Sequence, residues 1–275
     1  MQQELFPLKG KYKLVSLSSG SSGNCYYIGT SEYGILIDAG IGVRSIKKYL
    51  REYGIAIETI VGVLVTHDHA DHIKSVSALG NKMHIPIYAT ELVHHRLSQS
   101  KYSPELLNGS KRIIEKEACF TIKNFEITAF DVPHDSIENV GYQIKINDYT
   151  IVLATDIGRI TDQITKYAST ANHLIIESNY DEHMLSTGHY PELLKKRITS
   201  GTGHLSNALT GDLLVDIFHK KLKEIWLCHL SQDNNHPVLA YNTVKDKLHQ
   251  KGILVDKHVI LKTLLRGKPS AIKEF

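Results

Sequence analysis

Apolar and polar positions change rhythm several times along these 275 residues, and each change marks an element. KLVSLS (13–18), CYYIGT (25–30) and ILIDAG (35–40) are short aliphatic and aromatic runs, separated by SGSSGN (19–24) and a turn at Ser31 to Gly34. They predict strands in a meander. From 43 to 53 the rhythm is helical: Val43, Ile46, Leu50 and Tyr53 share one face, Arg44, Lys47, Lys48 and Arg51 the other, and Gly54 supplies the stop. IVGVLVT (60–66) does not alternate, the pattern of a strand covered on both faces. A short helix, the strand HIPIYA (84–89) and a helix from about Thr90 follow, with HHR at 94–96 expected to face water. The polar connection at 99–111 is expected to be the least ordered part.

Residues 112–155 return to strands: RIIE, CFTIK, FEITAFDV, VGYQIKI and YTIVLATD. The second half then alternates. Helices 161–169, 191–199, 207–221 and 237–251 interleave with strands HLIIES (173–178), EIWLCHL (224–230) and VILKTLL (259–265). Two β-rich runs, each leading into helices, predict an α/β fold with two sheets packed together and helices outside.

Composition narrows the class. A hydrophobic share of 42% over this length supports one substantial core. No Pro/Ser/Gly-rich linker, charge block or solenoid repeat divides the chain, so a single domain over 1–275 is expected. No 18-residue apolar run could cross a membrane, and MQQELFPLKGKYKL lacks the apolar stretch of an export signal. Three scattered cysteines without a CxxC pair suit a reducing compartment. A cytoplasmic protein without membrane partners is the expectation. A formal net charge of +3 leaves the partner open, whereas sixteen histidines is a high count for the commonest metal-ligating side chain.

Three of them sit inside VTHDHADH (65–72). His67 and His69 are two apart at a strand end, and the following turn can swing Asp71 and His72 toward a second point, so one loop can serve two metals. A polar loop in which Asp71 caps the next helix is the plainer alternative. A two-metal site needs ligands from elsewhere, and three strand ends offer them: His134 in FDVPHDS, Asp156 in VLATDIG and His229 in WLCHLS. Each alone is explicable as a turn aspartate or a satisfied buried histidine. Imidazole and carboxylate donors without thiolate suit two divalent ions, zinc foremost, with Mn²⁺ as another occupant. Cys25 and Cys228 are expected in the core, the latter facing away from its neighbour His229.

HxHxDH followed by a His, an Asp and a final His resembles the ligand series of the metallo-β-lactamase superfamily over nearly the whole chain. The resemblance implies a four-layer αββα sandwich, two mixed β-sheets flanked by helices. It places His67, His69 and His134 on one ion, Asp71, His72 and His229 on the other, with Asp156 bridging. It gives Asp38 of LIDAG the duty of orienting the metal loop. Glu177 and His204 of TGHLSN resemble the Glu/His pair of the RNA-processing phosphodiesterase branch, with His204 as general acid and Glu177 behind it. The catalytic set so assigned is His204, Glu177 and Asp71. Flavodiiron relatives carry a glutamate where this chain has His69, which argues against a redox iron pair.

The order SLSSGSSGNCYYIG, ILIDAG, THDHADH, VPHD, TDIG, GHLSN, CHLSQDNNHP looks like the YycJ/WalJ-type branch, which the resemblance associates with DNA exonuclease activity. The implied function is a phosphodiesterase attacking DNA from a 5′ end by metal-activated hydroxide. The alternative is a small-molecule hydrolase acting on a cyclic nucleotide, phosphodiester, thioester or lactone. Ser21, Ser22 and Asn24 could form a phosphate-holding nest or simply a hairpin loop. Ser206 and Asn207 could touch phosphate or cap a helix. KKR (195–197), HKK (219–221) and KTLLRGK (262–268) could line a nucleic-acid path or be solvated faces. His189 and His236 are expected as surface or helix-start residues. Twenty residues (157–176) between Asp156 and Glu177 leave no room for a β-CASP insertion, and 46 residues beyond His229 leave none for a glyoxalase II helical domain.

Overall fold

The computed structural model describes residues 12–102, Leu107 and 109–275. The export-signal reading of the first residues and part of the polar 99–111 connection lie outside them. Among the described residues two seven-stranded sheets face each other. In the first, β1 (Lys13–Ser18), β2 (Cys25–Gly29) and β3 (Gly34–Ile37) form the meander. Parallel β4 (Ile60–Leu64), β5 (Ile87–Ala89) and β6 (Lys111–Ile113) extend it. In the second, β7 (Cys119–Ile122), β8 (Phe125–Asp131), β9 (Val140–Ile146) and β10 (Tyr149–Ala154) run antiparallel. β11 (His173–Glu177), β12 (Glu224–Cys228) and β13 (Ile260–Thr263) then add in parallel. The two-residue β14 (Lys273–Glu274) returns to pair with β1.

Period-2 alternation assigns every central strand to two cores at once. Ile35 and Ile37 pack between the sheets with Phe125, Tyr142 and Trp226, while Leu36 points outward to the helix side. Ile151 and Leu153 likewise join the inter-sheet layer, and Val152 the outer one. α1 (Val43–Glu52) and α3 (Glu91–Gln99) lie on the first sheet; α4 (Asp162–Ala168), α7 (Asn207–Asp216) and α8 (Pro237–Gln250) lie on the second. The αββα sandwich inferred from sequence is the fold found. No helix among the described residues is long and apolar enough to cross a membrane.

Several details differ from the sequence reading. HHR does not all face water: His94 is buried, its Nε2 2.9 Å from the Arg112 carbonyl, and so ties α3 to β6. The helix expected to run to 221 stops at Asp216. Beyond it the Lys221 carbonyl and Lys223 amide bond to Asn172, which pulls the chain toward the start of β11. The excursion between β11 and α7 holds α5 (Glu182–Thr187), which the pattern missed, before α6 (Glu192–Ile198). His236 is the N-cap of α8, accepting from the Val238 amide, and His189 is exposed.

Because β3, β4, β8, β10, β11 and β12 all end along one seam between the sheets, the turns after them converge. That convergence is what a motif scattered over the chain requires.

Candidate metal centre

The loop after β4 is held by backbone contacts before any side chain matters. The His72 amide bonds back to the His69 carbonyl at 2.9 Å, opening the four-residue α2 (Ala70–Ile73). The Asn24 amide donates to the Asp71 carbonyl at 2.7 Å, and the Ala39 amide to the His72 carbonyl at 2.8 Å. Gly40 is required here, since a β-carbon on it would collide with that Asp71 carbonyl.

The loop's four polar side chains meet partners from the second sheet in two groups. Donor atoms of His67, His69 and His134 lie within 4.8 Å of one another, and so do those of Asp71, His72 and His229. His134 Nε2 is 3.3 Å from His69 Nδ1, and Asp71 Oδ2 is 3.6 Å from both His72 Nε2 and His229 Nε2. Asp156 stands between the groups, with Oδ2 3.2 Å from His72 Nε2 and Oδ1 3.7 Å from His134 Nε2.

Whether this set fits a cation is decided by where the ring protons go. A carbonyl can only accept, so His134 Nδ1 donates to Gly203 (3.1 Å) and leaves Nε2 a lone pair. His72 Nδ1 donates to Asp38 Oδ2 at 2.7 Å, and His229 Nδ1 to Glu177 Oε1 at 2.8 Å. Both therefore aim Nε2 inward. His67 Nε2 and His229 Nε2 are buried without a hydrogen-bond partner. Inward lone pairs, outward-anchored protons and orphaned buried nitrogens are what a cation-binding cage presents, and the residues fit one.

The backbone bends to achieve this. Asp38, Asp156 and His229 each follow a strand and each adopt a left-handed conformation, with φ of 59°, 55° and 53°. Such positions cost roughly 1–3 kcal/mol apiece and persist where the surroundings over-determine them. At His229 the bend turns the ring into the cage while Cys228 packs between the sheets. The Ser19 hydroxyl accepts from the His229 amide at 2.9 Å, and Asn179 Nδ2 donates to its carbonyl at 2.8 Å.

Electrostatics divides the rings. Burial, reinforced by His72, holds His67 well below the usual histidine range, and burial lowers His134 as well, so both stay neutral. Burial acts the same way on His229, yet Asp156, Asp71 and Glu177 outweigh it and lift that ring to about 10. A pocket that retains a proton so strongly also favours a metal cation in its place.

Asp38 is fully buried; it accepts from the Thr66 amide at 2.8 Å as well as from His72, and the Thr66 hydroxyl in turn lies 3.0 Å from His67 Nδ1. Glu177, also fully buried, does more than stand behind one histidine. Its Oε1 is 2.9 Å from His204 Nδ1 and 2.8 Å from His229 Nδ1, while Oε2 accepts from the Ile157 and Leu205 amides at 2.7 and 3.0 Å. Burial opposes ionisation of Glu177, but His204 and His229 hold it below the usual carboxylate range. His204 moves the other way: burial lowers it and the Glu177 carboxylate raises it further, to a net rise.

The phosphate candidates fare unevenly. Ser21 and Ser22 are exposed, and Ser21 borders a cavity of about 170 Å³ with His204, Asp135, Tyr190 and Arg197. Asn24 is buried, pairing with Gly20 and reaching His72 Nε2 at 3.0 Å, so it braces the loop. Ser206 caps α7 by accepting from the Leu209 amide, and Asn207 is buried in a network with Ser178 and Asn235; both are engaged inside the protein. Of the basic segments, Arg197 reaches the centre and pairs with Asp135, whose Oδ1 is 3.3 Å from His134 Nε2. Lys220 and Lys221 stand at the opposite end of β12. Sequence reasoning missed Thr66, Asn179, Ser19 and Asp135. Asp135 was open to suspicion as the neighbour of His134, and the others carried no local signal.

A histidine–aspartate cage on the seam of an αββα sandwich defines a metal-dependent hydrolase. A family described as the beta-lactamase superfamily domain matches residues 33–222, and the chain belongs to that superfamily, in its YycJ-type branch. It is 35% identical over 247 residues to the exodeoxyribonuclease WalJ of Streptococcus pneumoniae, covering 89% of this chain and 92% of that protein. To the exodeoxyribonuclease YycJ of Bacillus anthracis it is 34% identical over 236 residues, covering 86% and 89%. Among solved structures, zinc-bound PqqB from Methylobacterium extorquens shares the fold with a TM-score of 0.69 at 15% identity, covering 94% of this chain and 99% of that one.

Proposed function

We propose that the protein is a dinuclear-metal-dependent exonuclease that removes nucleotides from DNA, starting at a 5′ end. The observation that carries the reading is the His204–Glu177 pair set against the two ligand groups, with His204 Nδ1 3.8 Å from Asp156 Oδ1. His67, His69 and His134 would hold one ion and Asp71, His72 and His229 the other, with Asp156 between them. Divalent ions in such a site, zinc or manganese by donor chemistry, supply an ionised water at neutral pH and Lewis acidity toward the phosphate.

The chain's own residues do the rest. Glu177 keeps the Nδ1 proton of His204 on its carboxylate side, so Nε2 is the nitrogen presented to substrate. As the bond from phosphorus to the departing oxygen breaks, that oxygen takes the proton from His204, and Glu177 steadies the ring through the change. DNA as substrate is supported by the similarity to WalJ and YycJ, both named exodeoxyribonucleases. Cavities on both sides of the cage, about 170 and 270 Å³, suit a polymer better than a small closed ester.

The test uses purified protein with Mn²⁺ or Zn²⁺ and 5′- or 3′-labelled single- and double-stranded DNA. Stepwise release of nucleotides, abolished by His67→Ala and cut roughly 10²–10⁴-fold by His204→Ala, is expected. Absence of cleavage, or cleavage indifferent to both substitutions, refutes it.

A further inference from the structure

The cage is approached from two sides. Beyond His204 lies the cavity of about 170 Å³. On the other side a basin of about 270 Å³ begins at Asp68 and His69 and continues over Arg96, Gln99, Lys101 and Tyr102. The two share no lining residue. They meet where Asp135 Oδ1 of the first comes within 4.0 Å of His69 Nε2 of the second.

Charge and shape suit the basin to a polyanion. Its carboxylate, Asp68, is already taken: Arg96 Nε lies 3.4 Å from Oδ2, and the Ile137 amide donates to Oδ1 at 3.4 Å. Lys101 is exposed and makes no ion pair among the described residues. Its ammonium rests 5.1 Å from the centre of the Tyr102 ring. Tyr102 is half-buried, its inner side packed on the core beneath the first sheet, which makes it a fixed aromatic wall. A phosphate would draw the ammonium off the ring while a base takes its place.

If the departing oxygen belongs to the His204 side, the nucleoside it carries occupies the smaller cavity. The other ester arm of the same phosphate must then leave past His69. We propose that this basin grips the retained strand: Lys101 pairs with a backbone phosphate, and Tyr102 stacks a base of a single-stranded segment. Arg96 neutralises Asp68, which leaves the charge of Lys101 to act on the strand. The inference rests on the nuclease reading and extends it to a binding surface outside the cage.

Two variants test it in the Mn²⁺-loaded full chain, Lys101→Ala and Tyr102→Leu, the second chosen to keep the inner packing. Kinetics are taken on a single-stranded oligodeoxynucleotide and on bis(p-nitrophenyl) phosphate, which carries no second phosphate or base for Lys101 and Tyr102 to hold. Tyr102→Leu should raise KM for the oligonucleotide about fivefold or more with kcat within twofold. Lys101→Ala should raise it as well and flatten the dependence of log KM on log salt by about 0.7. Neither should alter either constant for the small diester. Unchanged oligonucleotide KM and salt slope in both variants, or equal loss on both substrates, overturns the grip while leaving the nuclease reading intact. Wild-type protein that hydrolyses the small diester but never DNA removes the nuclease reading and the grip together.

Discussion

Glu177 orients two rings with one oxygen, so it couples His204, the proposed acid, to the cage. Glu177→Gln keeps the shape but loses the charge, and two readouts should move together. The rate on a small diester should fall about 10²-fold, and cation affinity should drop roughly 10–100-fold in a metal titration. His204→Gln should lower the rate alone, with metal content of the purified protein unchanged. Gly40 gives a second contrast. Gly40→Ala forces the Asp71 carbonyl away and should deplete bound metal, whereas Gly42→Ala, with open space around its β-carbon, should leave metal content untouched. At this scale the sequence was informative where chemistry follows an apolar run, as at His67, His134, Asp156 and His229. It was mute where polar partners meet across 28, 50 or 210 residues, as Thr66 with Asp38, Asn179 with His229, and Ser19 with His229. Asn24 shows the converse: a loop of glycines and hydroxyls suggested a phosphate nest, and the amide is used to hold Asp71 and His72.

Elements were legible in proportion to their rhythm. Strands buried on both faces announced themselves as unbroken apolar runs, and α1 by its basic outer face. α5 hid because six residues carry less than two helical turns, although Asp181, which accepts from the Met184 amide, is a capping signal readable in hindsight. β14 has two residues and no pattern at all. The left-handed bends at Asp38, Asp156 and His229 were equally invisible, since any of the three reads as an ordinary strand end. The start of α7 permits a test between two roles for one side chain. If Ser206 is a cap, Ser206→Ala should cost about 1 kcal/mol of stability in a denaturant melt and leave KM for DNA unchanged. A rise in KM with unaltered stability would return it to the phosphate site.

The sandwich is pinned at both ends, and differently at each. At the seam, each of the two proposed ligand groups takes two side chains from the first sheet and one from the second, so cations held there would join the sheets. At the far end, Glu224 at the start of β12 is buried and accepts from Trp226 Nε1 and Lys262 at 2.8 and 2.7 Å, while Lys273 of β14 comes within 2.8 Å. Phe275 stacks there on Tyr12 and Tyr149. Burial alone would lift the Glu224 carboxyl, but Lys262, Lys273 and Trp226 hold it at about 2 against an ordinary 4.5. Burial keeps His173, edge-on to Trp226, near 3 in place of 6.5. Both folded values lie below the unfolded ones, so the unfolded chain binds more protons in acid. The stability that these two groups supply is complete above about 6.5; it declines as pH falls toward 3 through His173 and from 4.5 toward 2 through Glu224. Urea midpoints at pH 7, 5 and 3 should fall in that order. The gap between wild type and Glu224→Gln should be widest at neutral pH and narrow at pH 3.

Chelation should act on the other end, lowering the melting temperature at neutral pH by an amount that grows with the metal concentration it removes. Two fasteners with different keys follow from this layout. A chelator loosens the catalytic rim while the opposite rim stays shut, and mild acid loosens the opposite rim first through His173. Amide exchange mapped under each treatment would therefore unzip the same molecule from contrary directions.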